Sequence, residues 1–199
     1  MPIYRTIREQ ITDRIRSDVL SQRLTAGMRL REQALAQQYG VSRAPVRDAL
    51  LQLTNEGLLV ASPNCGVKVA ALPSESLQPL IIELRRKIEV FALNRMLDRL
   101  EEVDVAPLHR IVSELLAACA AGDLSAIVNC DMAFHSFIVG AADGQVLLAM
   151  WLPIVSRMML HYSRHQDWME SYREHATIAE AIQCGNREQA VALLSGNIR

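Results

Sequence analysis

Asp131 and His135 stand four residues apart, and His175 follows later in the chain. On a helix that spacing puts the carboxylate and the imidazole on one face. Phe134, Phe137 and Ile138 flank the first pair, and Ile178, Ala181 and Ile182 follow His175, so all three groups are expected in an apolar interior. One carboxylate and two imidazoles drawn from two helices suit a divalent metal held inside a bundle. The same residues also suit a plain Asp–His hydrogen bond that satisfies a buried pair. Arg85, between Leu84 and Ile88, can grip a carboxylate bidentately, or it can pair with Glu89 four residues on. Arg157 is a second candidate for a carboxylate-binding arginine, with an ion pair to an acidic neighbour as its alternative. His161 and His165 are also four apart, but Tyr162, Arg164 and Gln166 make their setting polar, and they read as a solvated helix end. Met150, Trp151, Met158 and Met159 read as core or subunit contact.

A second group of residues points to nucleic acid. Arg43 and Arg47 lie one helical turn apart, and each can pair with a phosphate or bridge guanine O6 and N7. They need an element that presents them. Leu30, Ala34, Leu35 and Tyr39 repeat at helical spacing, and Gly40 supplies a helix stop. Ser42 is a suitable N-cap, and Pro45 falls in the first turn of a second helix, where no amide bond is lost. Val46, Ala49, Leu50 and Leu53 then face inward, leaving Arg43, Ala44, Arg47 and Asp48 outward. This is a helix-turn-helix, whose second helix enters the major groove. Apolar runs on either side of Pro63, Asn64 and Gly66 then read as a β-hairpin, a wing carrying Lys68. The expected DNA-facing set is Arg31, Ser42, Arg43, Ala44, Arg47, Asn64, Gly66 and Lys68.

Residues 11–70 resemble the winged-helix domain of the GntR family of bacterial transcription regulators. The resemblance rests on Gly27, Leu30, Arg31, Glu32, Leu35 and Ala36, on Val41, Ser42 and Arg43, on Pro45, Val46 and Arg47, and on Ala49, Leu50, Glu56, Gly57, Leu58 and Gly66.

Beyond Pro73 the pattern is helical, with helices expected near 75–100, 105–121, 123–140, 145–164, 167–184 and 186–198. Pro107, Gly122, Gly144 and Gly185 supply the stops, and about six helices make a bundle. This part resembles the FCD domain of the FadR branch of the GntR family. In that family an Asp and a His four apart, a His on a later helix and a His near the end of the last helix bind a metal. The resemblance implies Asp131, His135 and His175 as ligands to zinc or nickel. It puts Asn197 in the fourth place, where an amide oxygen is a weaker ligand than imidazole. It also implies that Arg85 lines the effector pocket beside the metal.

The expected fold is therefore mainly α: a winged helix-turn-helix domain over 1–72 with a small β-hairpin, then an all-α effector-binding and dimerisation domain over 73–199. Charge divides the same way. Residues 1–70 hold ten Lys or Arg against six Asp or Glu, net +4, whereas the rest hold eleven against sixteen, net −5. A basic head on an acidic body concentrates attraction for phosphate at one end. No uninterrupted apolar run approaches the ~20 residues of a membrane span, and Met1–Arg5 carry no signal-peptide pattern. Cys65, Cys119, Cys130 and Cys184 lack zinc-finger spacing and read as reduced thiols of a cytoplasmic protein, the last three as small core residues.

These features imply a homodimeric regulator that binds a palindromic double-stranded operator and senses a small carboxylate effector. Two alternatives are a metal-dependent enzyme fused to a DNA-binding head and a regulator with a metal-free sensor domain. An enzyme needs a general base beside the metal, and no further Glu or His stands at motif spacing with Asp131.

Overall fold

The computed structural model describes residues 6–62, 66–71, 73–159 and 167–199. The head begins with α1 (Ile7–Leu20), which has no counterpart among the sequence-based expectations although Thr6 and Glu9 spell a capping box. The Thr6 amide donates to Glu9 Oε2 at 2.7 Å, and the Glu9 amide donates back to Thr6 Oγ1 at 3.2 Å. Ile11, Ile15, Val19 and Leu20 of α1 are buried.

The helix-turn-helix follows as α2 (Glu32–Tyr39) and α3 (Arg43–Asn55). Gly40 closes α2 with φ +65°, the left-handed conformation expected of it. Ser42 is the N-cap residue of α3, although its hydroxyl makes no cap bond. Val46, Ala49, Leu50 and Leu53 are buried, as their spacing predicts. The inner face of α2 differs from expectation. Leu35 and Ala36 are buried while Ala34 is exposed, because the helix starts only at Glu32. Leu30 belongs instead to a short strand, β1 (Arg29–Leu30).

The wing is β2 (Leu59–Ser62) and β3 (Gly66–Val69), antiparallel, with Leu59 opposite Val69 and Ser62 opposite Gly66. β1 adds to the outer edge of β3, giving the order β1-β3-β2, with Arg29 opposite Lys68. Asn64 and Cys65 lie outside the described residues.

The body consists of α4 (Gln78–Leu97), α5 (Ala106–Ala121), α6 (Leu124–Met159), α7 (Trp168–Gln183) and α8 (Arg187–Asn197). Where two helices were expected over 123–140 and 145–164, α6 runs through as one element of 36 residues. It is bent all the same. Gly144 takes φ +58°, and a Cβ placed on Gly140 would stand 3.4 Å from Leu148 Cδ1. In a straight helix, residues eight apart lie about 12 Å apart along the axis. The chain therefore folds back on itself at Gly144. His161 and His165 lie outside the described residues.

The stretch Leu124–Ala142 is 19 residues long with mean hydropathy 1.4, enough by length and composition to span a membrane, although Asn129, Asp131 and His135 interrupt its apolar run. It carries the buried Asp131 and His135 and packs within the bundle, so it reads as a core helix. Cys119 is buried and Cys130 half-buried, but Cys184 is exposed just past the end of α7 rather than in the core.

Head and body touch through α1 and α6, where the hydroxyls of Ser17 and Ser125 share a hydrogen bond. A cavity of about 440 Å³ opens beside that contact. Asp13, Arg16, Gln52 and Glu56 of the head line it, with Asn129, Met132 and Trp151 of the body opposite.

Candidate functional site

Asp131 and His135 on α6 meet His175 of α7 in the interior of the body. One ligand atom from each lies within 4.8 Å of the others, and all three residues are buried. Asp131 and His135 come from the first arm of α6, and His175 comes from α7, where Ile178, Ala181 and Ile182 face the core. Phe134 packs edge-on against both imidazoles, with ring centroids 5.5 Å from His135 and 4.7 Å from His175.

The hydrogen bonds orient these groups. His135 Nδ1 lies 2.6 Å from Glu89 Oε2, and His175 Nδ1 lies 2.7 Å from the Ser171 carbonyl oxygen. Each imidazole thus donates from Nδ1 to an acceptor, which leaves Nε2 for the interior. That is the tautomer in which a histidine ligates a metal, with a carboxylate or carbonyl behind it. The inward atoms, His135 Nε2, His175 Nε2 and Asp131 Oδ2, are buried without a hydrogen-bond partner. Asp131 Oδ1 lies 3.3 Å from His175 Nε2, close enough for charge attraction but outside hydrogen-bond alignment. Buried polar atoms are rarely left unsatisfied. Three that converge, two nitrogen and one oxygen, form a donor set that fits a divalent transition metal.

Electrostatics reinforce this. Burial opposes the charge on Asp131, yet the contact with His175, then the charges of His135 and Arg85, hold its carboxyl well below the usual carboxylate range. Burial, against the pull of Glu89, pushes His135 down and favours the neutral ring. His175 moves up, because Asp131 beside it outweighs burial.

Glu89 was expected only as a partner for Arg85, but the structure makes it a hub. Besides His135, its carboxylate accepts from Arg85 Nε at 2.6 Å and from Trp151 Nε1 at 2.7 Å. Burial works against its charge, but Arg85 first and His135 next hold the carboxyl down at about 2. Arg85 is itself buried, and its Nη1 lies 3.6 Å from Met158 Sδ. Of the two sequence readings of Arg85, the structure forms the pair with Glu89, and its charge also reaches Asp131, His135 and His175. Sequence spacing could suggest the Arg85–Glu89 pair. It could not reach Trp151, which joins the site only because α6 folds back.

Asn197 is buried near the end of α8, and its Nδ2 donates to Glu174 Oε2 at 2.9 Å. Arg157 lies elsewhere. It is exposed, and a Cβ on Gly57 of the head would stand 3.3 Å from its Nε.

On the head, Arg43 and Arg47 point to solvent at the start of α3, with side chains 61% and 63% exposed. Both reach Glu32 at the start of α2. Arg43 Nη2 donates to Oε2 at 3.0 Å, and Arg47 Nε to Oε1 at 3.4 Å. Arg31, Ser42 and Ala44 are exposed, and Lys68 is half-buried on β3.

Comparison with known proteins agrees with both halves. Residues 7–69 match the model of the bacterial regulatory proteins of the gntR family, and residues 80–199 match that of the FCD domain. The chain is 30% identical over 178 residues to the Nta operon transcriptional regulator of Aminobacter aminovorans, covering 87% of this chain and 82% of that one. It is 30% identical over 154 residues to the HTH-type transcriptional regulator McbR of Escherichia coli, covering 76% and 69%. The solved structure of E. coli McbR/YncC superposes with a TM-score of 0.79 at 24% identity, over 98% of this chain and 94% of that one. These relatives are transcription regulators, which removes the reading as a metal-dependent enzyme. The chain belongs to the GntR family of bacterial transcription regulators, with an FCD domain behind its DNA-binding head.

Proposed function

We propose that this regulator, of the FadR type, acts in the cytoplasm as a homodimer on a palindromic operator and senses a small organic acid through a metal centre. Asp131, His135 and His175 hold one divalent ion, zinc or nickel, with Asn197 or water completing the shell. The observation that carries this reading is the convergence of three buried, unsatisfied donor atoms whose outer nitrogens are already fixed by Glu89 and Ser171. The ion would supply a Lewis-acidic partner for an effector carboxylate. Arg85 stands beside the centre and offers its guanidinium to the same carboxylate in exchange for part of its bond to Glu89.

Dimer formation is supported by α4. Its inner side carries Arg85, Glu89, Ala92, Leu93 and Met96, yet Leu77, Leu80, Leu84 and Phe91 on or beside it are 41–53% exposed. Leu77, Leu84 and Phe91 are seven residues apart, a stripe that suits helix-to-helix pairing with a second copy. Two heads then read two half-sites related by the same two-fold axis. The head, taken as 1–72, presents Arg43 and Arg47 to base edges and the wing residues Gly66 and Lys68 to the backbone.

The contact between Asp131 and His175 favours a second reading, a structural pair with no ion. Elemental analysis after incubation with zinc or nickel and desalting separates the two. The metal reading expects one ion per chain, lost in His135→Ala and His175→Ala, and held more tightly in Asn197→His. Absence of metal in the wild type, with a normal effector response in His175→Ala, refutes it.

A further inference from the structure

Glu32 is the one acidic group among the described residues that the structure ties to both exposed arginines of the recognition helix. Its carboxylate uses both oxygens. Oε2 accepts from Arg43 at 3.0 Å, and the pair accepts from Arg47 at 3.4 and 3.5 Å. Its side chain is 29% exposed, so DNA entering the groove-facing side meets a carboxylate as well as two guanidinium groups. Glu32 also places its charge in the first turn of α2, where a carboxylate suits the helix N-terminus, and it makes no hydrogen bond to the buried residues of α3.

We propose that Glu32 is a specificity-determining residue of the DNA-binding surface, holding Arg43 and Arg47 in one shared pose that base edges displace and phosphates alone do not. The proposal rests on the reading that these two arginines reach DNA. Its physics is a difference between two competitors. A phosphate offers charge, and it must approach a carboxylate of its own sign to reach either guanidinium. Guanine offers O6 and N7 as neutral acceptors in a geometry that a guanidinium can bridge. Exposed ion pairs are weak, so a good base contact can replace the pair with Glu32, whereas a phosphate contact is diminished by the retained repulsion. Binding to non-operator DNA comes almost wholly from phosphate charge. A carboxylate at this place therefore weakens non-operator binding more than operator binding, a repulsive element that sharpens discrimination.

The test uses full-length protein and two duplexes: one enriched by the wild type from a randomised 20-base-pair library, and a scramble of that sequence. Equilibrium anisotropy is measured over a range of salt. Glu32→Gln raises the head from +4 to +5. It is expected to bind the scramble about 3–10-fold more tightly, to change less on the enriched duplex, and to steepen the salt slope on the scramble by about 1. Glu32→Asp keeps the charge but withdraws the carboxylate by one methylene. It is expected to narrow the ratio between duplexes while leaving the slope near the wild-type value. In an Arg43→Ala/Arg47→Ala background, Glu32→Gln should leave the ratio unchanged. A ratio within twofold of wild type in both Glu32 variants overturns the proposal, as does a ratio that still shifts without the arginines. If Arg43→Ala and Arg47→Ala each bind the enriched duplex like the wild type, the underlying reading of the recognition helix fails instead.

Discussion

Glu89 is fully buried and accepts from an arginine, a histidine and a tryptophan at once. A carboxylate in such a place is stable only while it is charged and all its partners are present. Its folded pKa of about 2 lies below the ordinary value of 4.5. Its ionisation therefore contributes stability that is fully present above about pH 4.5 and drains away as the pH falls toward 2. A shift of this size corresponds to about 3 kcal/mol. Urea unfolding of Glu89→Gln should give a lower midpoint than wild type at pH 7, with the gap narrowing as the pH drops below 4.5. A gap that stays constant across that range would show that the charge on Glu89 adds nothing. Asp131 acts in the same sense, since its carboxyl is also held below the usual range. At this scale the sequence showed which residue types were present and which pairs shared a helix face. It named Asp131, His135 and His175 through local spacing and apolar neighbours joined to the family resemblance.

Among the elements, α6 decides the geometry of the body. His135 and Trp151 both bond to the Glu89 carboxylate, although sixteen residues separate them. A straight helix would hold them about 24 Å apart along its axis. Gly144, with φ +58° and open space around its α-carbon, allows the return. An alanine there meets no neighbour, so its cost is conformational alone, about 1–2 kcal/mol. Gly144→Ala should lose about that much in urea unfolding and weaken metal retention as His135 and Trp151 move apart. Gly196→Ala is the matched control. It sits in the last turn of α8 in open space with no left-handed backbone, and it should be neutral or stabilising by up to about 1 kcal/mol. Equal stability changes at the two positions would remove Gly144 as the hinge of α6. The Asp-Gly signal at 143–144 was legible in sequence as a break between helices. What sequence could not convey is that both arms continue as one element around it.

The whole molecule joins a basic head to an acidic body across the contact of α1 with α6. Trp151 lines the cavity between them and donates to Glu89, so one side chain touches both the head–body cleft and the carboxylate behind His135. Under the proposed function, an effector that drew Arg85 from Glu89 would act on the partner of Trp151 and thereby on the wall the head rests against. Such coupling is limited to the effector's differential affinity for the two arrangements, typically about 1–3 kcal/mol. Assembly is testable separately. Leu84→Glu or Phe91→Glu places a charge in the exposed stripe of α4. Light scattering at micromolar concentration should show monomers for these variants and dimers for the wild type, with operator affinity reduced at least tenfold. Dimers that persist in both variants would place the interface elsewhere.

The sequence by itself determined what depends on neighbours along the chain. The helix-turn-helix was legible from Gly40, Ser42, Pro45 and the inward Val46, Ala49, Leu50 and Leu53, because caps, stops and helical periodicity act within a few residues. The wing was legible in the same way, although the pairing of β1 with β3 was not, since Arg29 and Lys68 are far apart in the chain. The group Asp131, His135 and His175 rested on local spacing joined to a family resemblance. Only the tertiary structure decided the connections that cross elements: Glu89 behind His135, Trp151 on the same carboxylate, Glu32 between Arg43 and Arg47, and Arg157 beside Gly57 rather than at the centre. Each depends on a side chain from one element meeting another after packing. For the contacts of Glu89 burial supplies the reason, since a polar group removed from water must find its partner wherever the fold brings one, whereas the exposed pairs follow from how α2 meets α3 and how α6 meets the head.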